Sequence, residues 1–437
     1  MPVTDTRHPK AVFISQLQAT VLARIDMTLS QAACSGVMTP DTFKKAIFAE
    51  NRRANAEIDQ HCAEHACHDS ETEQEFYALK KGMQDFIIDC AEKAGWYCPD
   101  NDNHTTILEG DEPALIKQHV LLRDFSLQQE DIARGASGGV SLYRAHNGDL
   151  FAGKSSLGQP TRNGIPVDEL REELDAYQTV YRRAGPHPNL LNVYGIARLP
   201  CTSGAQRTLL MDVVTGKTGD DIASLLRGAW QSGKISSAEY WSANQLIARR
   251  LLAVTAHLGQ AGIVHNDIKP ANYLIDAGSG EPVVIDLGVA CRKGQNAVAG
   301  TRLYISPEAR ALQPVSERSD VLTVGATLLR SIEGDVAFDA NRSLYLRRDK
   351  AMLNTETLLP VPPNTGLFPA QRNAKTTQGH PIRQPGTYSA RTSYSQFMQK
   401  LINERSESAE AIAHPFLSDS MLDDEAAKAV LRKVSTL

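Results

Sequence analysis

The sequence predicts an α+β chain: a helical N-terminal region, then a β-rich segment, then a mainly helical one. Three observations carry this. Apolar residues recur at helical spacing from about 12 to 97, short glycine-punctuated β runs follow, and the helical period returns from about Ala223 onward.

Within the first region, Val12, Ile14, Leu17, Val21, Ile25 and Met27, then Phe43 and Ile47, then Phe76, Leu79, Met83, Phe86 and Ile87 predict about three helices. The turn cluster CPDNDN, Cys98 to Asn103, ends the pattern and places a boundary near 100 to 120. Beyond it, VSLYRA and DLFAGK read as strands, residues 167 to 183 as a charged helix, and TLLMDVV as part of another strand pair. The later helical stretch carries an embedded hairpin, NYLID and VVIDL. A polar segment from about Asn354 to Thr387 reads as a long loop, and no internal repeat occurs.

The chain has 437 residues, 42% of them hydrophobic, and a formal net charge of −5. That balance argues against a phosphate-backbone binding surface, so nucleic acid is not an expected partner. No apolar run has the length of a membrane span, and the start, MPVTDTRHPKAVF, has no long apolar core of the secretory kind. Seven scattered cysteines suit reduced thiols better than a disulfide framework.

The chemistry concentrates in IVHNDIKPANYLID, Ile263 to Asp276. Phosphoryl transfer from a nucleotide needs a cover for the phosphates, a cation on them, oxygen ligands for a metal, and a carboxylate to orient the attacking hydroxyl. Asp267 is the candidate carboxylate and Lys269 the cation that reaches the transferring group. Asn272 and, at the far end of the hairpin, Asp286 offer oxygens to magnesium, with manganese as a substitute. Upstream, IARGASGGVSLY fits a phosphate-covering glycine loop if Gly135 and Gly138 are its second and third glycines and Val140 the valine after them. Ala133 then stands where the first glycine belongs.

Lys154 of FAGK is placed to pair the α/β-phosphates and a helix carboxylate. Glu173 is the expected carboxylate, because Tyr177 and Val180 then follow it on the inner helix face; Glu172 is the alternative. In TLLMDVV, Met211 would back an adenine pocket whose polar edge is the backbone of Asp212 and Val214, with Asp220 or Asp221 toward the ribose. Each motif alone has a plain structural reading: a polar turn, a hairpin, a solvated lysine. Their order is what makes the functional reading stronger.

In that order the chain resembles the eukaryotic-type protein kinases over about residues 120 to 416. The resemblance implies a bilobal fold with an N-lobe over 116–222 and a C-lobe over 223–418, between a helical region 1–115 and a C-terminal helix 419–437. It implies a Ser/Thr protein kinase using ATP and Mg2+ or Mn2+. GTRLYISPE, Gly300 to Glu308, is similar to the family's P+1 loop and Ala-Pro-Glu element, with Ser306 for Ala, so that Glu308 is expected to pair with Arg405. Thr301 matches the threonine that contacts the catalytic Asp and Lys in Ser/Thr kinases. Asp320 in SDVLTVG falls where a buried helix Asp braces the catalytic loop, and HPFL resembles the closing helix. A small-molecule phosphotransferase would lack GTRLYISPE and SDVLTVG; a kinase-fold scaffold without turnover is the alternative.

Further, GIVHNDIKPANYLIDAGSGEPVVIDLG, GHPIRQPG and FLSDSMLDDEAAKAVL are similar to the Yersinia protein kinase A family of type III secreted effectors. That implies a protein delivered into the host-cell cytoplasm, acting on host protein substrates and activated by actin. The N-terminal helices would then serve secretion, chaperone contact or peripheral membrane targeting. The sequence ends at Leu437, where that family continues into a helical region binding Rac-type GTPases, which puts GTPase binding in doubt.

Two local features shape regulation and metal content. Asn266 stands where many kinases carry a phosphate-binding Arg, and VACRKGQNAVA between Gly288 and Gly300 has no Ser, Thr or Tyr. Loop ordering is therefore expected from a partner or from the fold itself. In HCAEHACH, His61 and His65 sit one helical turn apart, a zinc-like pair without the four converging ligands of a closed site; a solvated or packed helix face is the expected reading.

Overall fold

The computed structural model describes residues 9–32, 37–64, 78, 80–87, 108–109, 114–117, 125–134, 138–145, 148–156, 161–162, 165–297, 299–335, 338 and 390–437. The chain divides into two compact units, residues 1–167 with 192–211 and residues 168–191 with 212–437. The polar segment 354–387, Gly135, and the His65 to His68 part of HCAEHACH lie outside the described residues.

The first unit opens with helices α1 (Pro9–Ala32) and α2 (Pro40–Glu64), and residues 80–87 are also helical. Leu17, Val21 and Ile25 of α1 repeat every four residues and are buried, as are Ala54 and Ile58 of α2. Met27, which the apolar period had placed with them, is 57% exposed. Two residues past Ile25 is about 200° around a helix, so Met27 points away from the stripe. Arg24 binds Glu50 and Glu57, each at 2.6 Å, and ties the two helices together. The His61 ring stacks on Phe13, with centroids 3.8 Å apart.

Among the described residues, the same unit holds a six-stranded sheet. Its strands are β1 (Leu108–Glu109), β2 (Ser126–Arg134), β3 (Gly138–Arg144), β4 (Leu150–Ser156), β5 (Val193–Cys201) and β6 (Gly204–Asp212), in the order β1-β5-β6-β4-β3-β2. In β3, Gly139, Ser141 and Tyr143 are buried while Val140, Leu142 and Arg144 are not, the period-two signature of a strand with one covered face, whereas β5 is buried continuously over Val193–Ala197.

The second unit begins with α3 (Glu169–Ala184), capped by Asp168, whose carboxylate accepts from the Arg171 amide at 3.1 Å. After β7 (Gly216–Thr218) come α4 (Gly219–Gln231) and α5 (Ser237–Ala261). Ser236 and Glu239 cap α5 reciprocally and left-handed Gly262 ends it. Helix α5 is buried on almost every face because α7 (Glu317–Glu333) and the C-terminal α8 (Asp424–Ser435) pack on it. Between α5 and α7 lie β8 (Ile263–Val264), β9 (Tyr273–Asp276), β10 (Pro282–Val284), β11 (Cys291–Arg292) and the short α6 (Pro307–Arg310). One unit with helical N-terminal residues and a six-stranded sheet, and a second that is mainly helical, make the α+β class that the sequence predicts. No helix among the described residues is long and apolar enough to cross a membrane.

Candidate active site

The polar turn after β8 is built around Asp320. Its buried carboxylate, one turn into α7, accepts the backbone N–H of His265 at 2.7 Å and of Asn266 at 2.9 Å. Burial pushes this carboxyl up to about 6, against the lowering pull of His265 and of the two N–H groups. Asn266 takes φ +64°, a left-handed conformation that Asn tolerates better than most residues. About two turns of α7 further on, Thr327 donates to the Ile268 carbonyl at 2.9 Å, so a single helix face grips both ends of the turn.

The turn presents Asp267, which is itself buried. Its Oδ1 accepts the Thr301 backbone N–H at 2.8 Å; its Oδ2 accepts Lys269 Nζ at 2.7 Å and Asn272 Nδ2 at 3.0 Å. Lys269 also reaches Thr301 Oγ1 at 2.5 Å. A carboxylate has about four acceptor positions, and three are filled by donors that lock its rotamer. The remaining one, on Oδ1, is available to a hydroxyl.

Asn272 closes the one-turn helix Pro270–Asn272 and starts the β9/β10 hairpin. Its side-chain N–H2 also donates to the Asp267 carbonyl at 2.9 Å, which leaves the amide oxygen as its accepting face. The Ile285 N–H donates to the Asn272 carbonyl at 2.9 Å, bonding the two ends of the hairpin and holding Asp286 beside Asn272. Asp286 sits at φ +69° and accepts the Gly288 N–H at 3.0 Å. An amide oxygen and a carboxylate fit a hard divalent cation.

Glu173 is buried, 3% exposed, whereas Glu172 faces solvent. Burial first, then the charges of Glu173, Tyr181 and Asp286, push Tyr177 far above its ordinary range. Asp212 and Val214 are half-buried where the chain re-enters the second unit. Asp220 is bound by Arg330 at 3.1 Å, and Asp221 shares a cap hydrogen bond with Thr218 at 2.7 Å.

In the first unit, Val140 and Lys154 are direct cross-strand partners, so both side chains stand on one sheet face. Ala133 pairs with Val140. A Cβ on Gly138 would lie 1.7 Å from the Ser155 carbonyl oxygen, so the strand pair itself demands glycine there. Met211 is buried at the end of β6.

Residues 127–417 match the protein kinase domain family. The chain belongs to the protein kinase family. It is similar to the protein kinase YpkA of Yersinia pseudotuberculosis and to that of Yersinia pestis, each 38% identical over 288 residues, which cover 65% of this chain and 37% of the relative. The serine/threonine-protein kinase PknB of Mycobacterium leprae is 30% identical over 191 residues, 40% of this chain and 29% of its own length. The chain thus spans little more than a third of the Yersinia kinases it matches.

Around this kinase centre the structure adds residues that sequence reasoning passed over. The buried His265 ring accepts the Asp267 N–H at Nδ1, 3.4 Å away. Thr327 was findable, being seven residues after Asp320 and therefore on its helix face. Glu281, in the turn of the β9/β10 hairpin, binds Arg250 and Lys428 and gave no local signal. Glu308 meets Arg405 at 2.9 Å, the pairing that the resemblance implies.

Proposed function

We propose that this kinase transfers the γ-phosphoryl group of ATP to serine or threonine hydroxyls of protein substrates. The reading is supported by one observation above all: the Asp267 carboxylate, held by Thr301, Lys269 and Asn272, with one acceptor position left over. In this reading the free position on Oδ1 takes the hydroxyl proton and aims the oxygen. Lys269 carries positive charge toward the transferring group, and Thr301 holds Lys269 against Asp267. Lys154 pairs the nucleotide's α/β-phosphates and Glu173 holds Lys154. Gly135, Gly138 and Val140 cover the phosphates, while Met211, Asp212 and Val214 border the adenine. Asn272 and Asp286 would hold Mg2+, or Mn2+ in its place, which neutralises phosphate charge when bound.

The wider role is part of the same proposal and rests on the resemblance to the Yersinia effectors. It comprises delivery into host-cell cytoplasm, host protein substrates, activation by actin, and N-terminal helices that serve secretion, a chaperone or a membrane surface. The domain limits 1–115, 116–222, 223–418 and 419–437 belong to it as well.

The test is transfer of radiolabelled phosphate from ATP and Mg2+ to a generic basic protein, with and without actin, beside Asp267→Ala. We expect the substitution to cut the rate by roughly 10²–10⁴-fold. Activity that requires actin supports the effector role; activity without actin supports a self-sufficient kinase. No transfer under either condition, with nucleotide still bound, favours the scaffold reading.

A further inference from the structure

The kinase-family match ends at residue 417, yet the chain continues into α8, which packs against the hairpin carrying Asn272 and Asp286. The contact is polar, specific and concentrated at the hairpin's turn. Gly280 there has φ +75°, and a Cβ on it would lie 2.5 Å from the Lys428 carbonyl oxygen, so the α8 backbone rests directly on the turn. Arg432 donates to the neighbouring Ser279 carbonyl at 2.6 Å.

The next residue, Glu281, is the hub. Arg250 of α5 grips it with two bonds, at 2.8 and 3.1 Å; Lys428 of α8 reaches it at 2.8 Å; Asn189 donates to it at 3.1 Å. Burial alone would raise this carboxyl, but the bonds from Arg250 and Lys428 pull it down to about 2, so it stays charged. Asp424, in the first turn of α8, receives Arg249 at 2.6 Å and Arg250 at 2.9 Å and closes the ring of charges. Bidentate Arg–carboxylate pairs fix orientation as well as distance.

From this turn the two strands run straight to the proposed metal ligands. β9 leads back to Asn272 and β10 forward to Asp286, in unbroken register from Tyr273↔Val284 to Ile275↔Pro282. The strands are braced along their length, β9 by pairing with β7 and Val284 of β10 by backbone bonds with Asn189 and Leu191, so the hold that α8 adds falls on the turn, and a site is placed only as sharply as its supports are fixed.

We propose that α8 is a positioning clamp: through Lys428, Arg432 and the Glu281 hub it fixes the β9/β10 hairpin and so sets the geometry of the Asn272 and Asp286 oxygens for the divalent cation. Glu281, Lys428 and Arg432 are positioning residues, and none touches the reacting atoms. The proposal rests on the kinase reading only for the identity of the cation's partner, nucleotide phosphate.

The test uses the full chain and the double variant Lys428→Met/Arg432→Met, with Lys428→Arg as the conservative partner. Mn2+ affinity is titrated by electron paramagnetic resonance in the presence of a non-hydrolysable ATP analogue. Hydrogen exchange of amides 273–286 and the melting temperature are recorded on the same samples. We expect the double variant to weaken Mn2+ binding at least fivefold and to speed hairpin exchange at least tenfold, with Lys428→Arg close to the parent. The half-saturating Mg2+ concentration for phosphate transfer should rise in parallel, with the rate at saturating Mg2+ within about twofold. A lowered melting temperature with unchanged Mn2+ affinity overturns the proposal, since it leaves α8 a merely structural helix. So does unchanged hairpin exchange. A parent chain that transfers no phosphate, but whose Mn2+ affinity still falls in the double variant, supports the clamp while the kinase reading fails.

Discussion

Asn266 in the turn that carries Asp267 lies against Cys291 in the segment that follows Asp286, with its side-chain amide 3.2 Å from the sulfur. The same amide is 3.4 Å from the Val264 and Val289 carbonyls. A neutral side chain thus joins two segments that a phosphate and an arginine would otherwise join. The rest of the segment is held by backbone and apolar contacts. Val264 pairs with Cys291, Gly294 donates to the Val315 carbonyl, and Val315 donates to the Gln295 carbonyl. Ala297 is buried in a cluster with Val264, Ala309 and Val315.

Activity is therefore expected to survive dephosphorylation. Phosphatase treatment should leave the transfer rate within about twofold, whereas Ala297→Asp, which buries a charge in the cluster, should abolish it by dislodging the segment. A phosphosite within 301–306 whose removal inactivates the enzyme would sink this expectation.

Thr301 contributes two different groups, a backbone N–H to Asp267 and a hydroxyl to Lys269. Thr301→Ser keeps both. Thr301→Ala keeps the N–H and loses the hydroxyl together with the methyl that Thr301→Ser also lacks; the hydroxyl is a bond to a charged partner worth about 1.5–3 kcal/mol, or roughly 10–100-fold in rate if it acts in the transition state. Steady-state kinetics should show the loss in kcat for Ala and near-parent values for Ser; equal rates for Ala and the parent would refute the role.

Asp320 yields a pH prediction. Its folded value of about 6 lies above the ordinary aspartate value of 3.8, so the group stabilises the fold most at low pH, and that contribution disappears as pH rises through about 6. A shift of this size corresponds to something on the order of 3 kcal/mol. Denaturation midpoints of the parent and Asp320→Asn should differ more in the parent's favour at pH 4.5 than at pH 7.5. A difference constant across that range would show that the carboxyl does not titrate there.

Glu308 accepts from Arg405 at 2.9 Å and from Ser319 at 2.5 Å. Arg405 sits at φ +52°, a left-handed position that ends the preceding helix, with its backbone N–H bonded to the Lys400 carbonyl. Glu308→Ala should cost about 1.5–3 kcal/mol, less whatever solvent already screens, and should lower the denaturant midpoint without changing its slope. A midpoint identical to the parent would show the pair to be dispensable.

Much of the centre was legible because it is written in short stretches. HNDIKPAN spaces Asp267, Lys269 and Asn272 within six residues, and a turn that short brings them together however the rest folds. Glu173 could be preferred over Glu172 because helical period alone puts Tyr177 and Val180 behind it. The α+β class followed from the change of apolar period, the strongest local signal a sequence carries.

Other features were decided only when distant segments met. Met27 kept the apolar character of its neighbours, but the helix turned it outward. Gly138 read as a phosphate-loop glycine, yet the adjacent strand already forbids a side chain there. Glu281 looked like one more charge in a turn until Arg250 and Lys428, 31 residues before it on α5 and in the C-terminal helix, converged on it. Local spacing determines which groups share a turn or a helix face, because the backbone has few conformations. Which carboxylate is buried, which is paired, and which loop is clamped depends on long-range packing, whose partners no local pattern names.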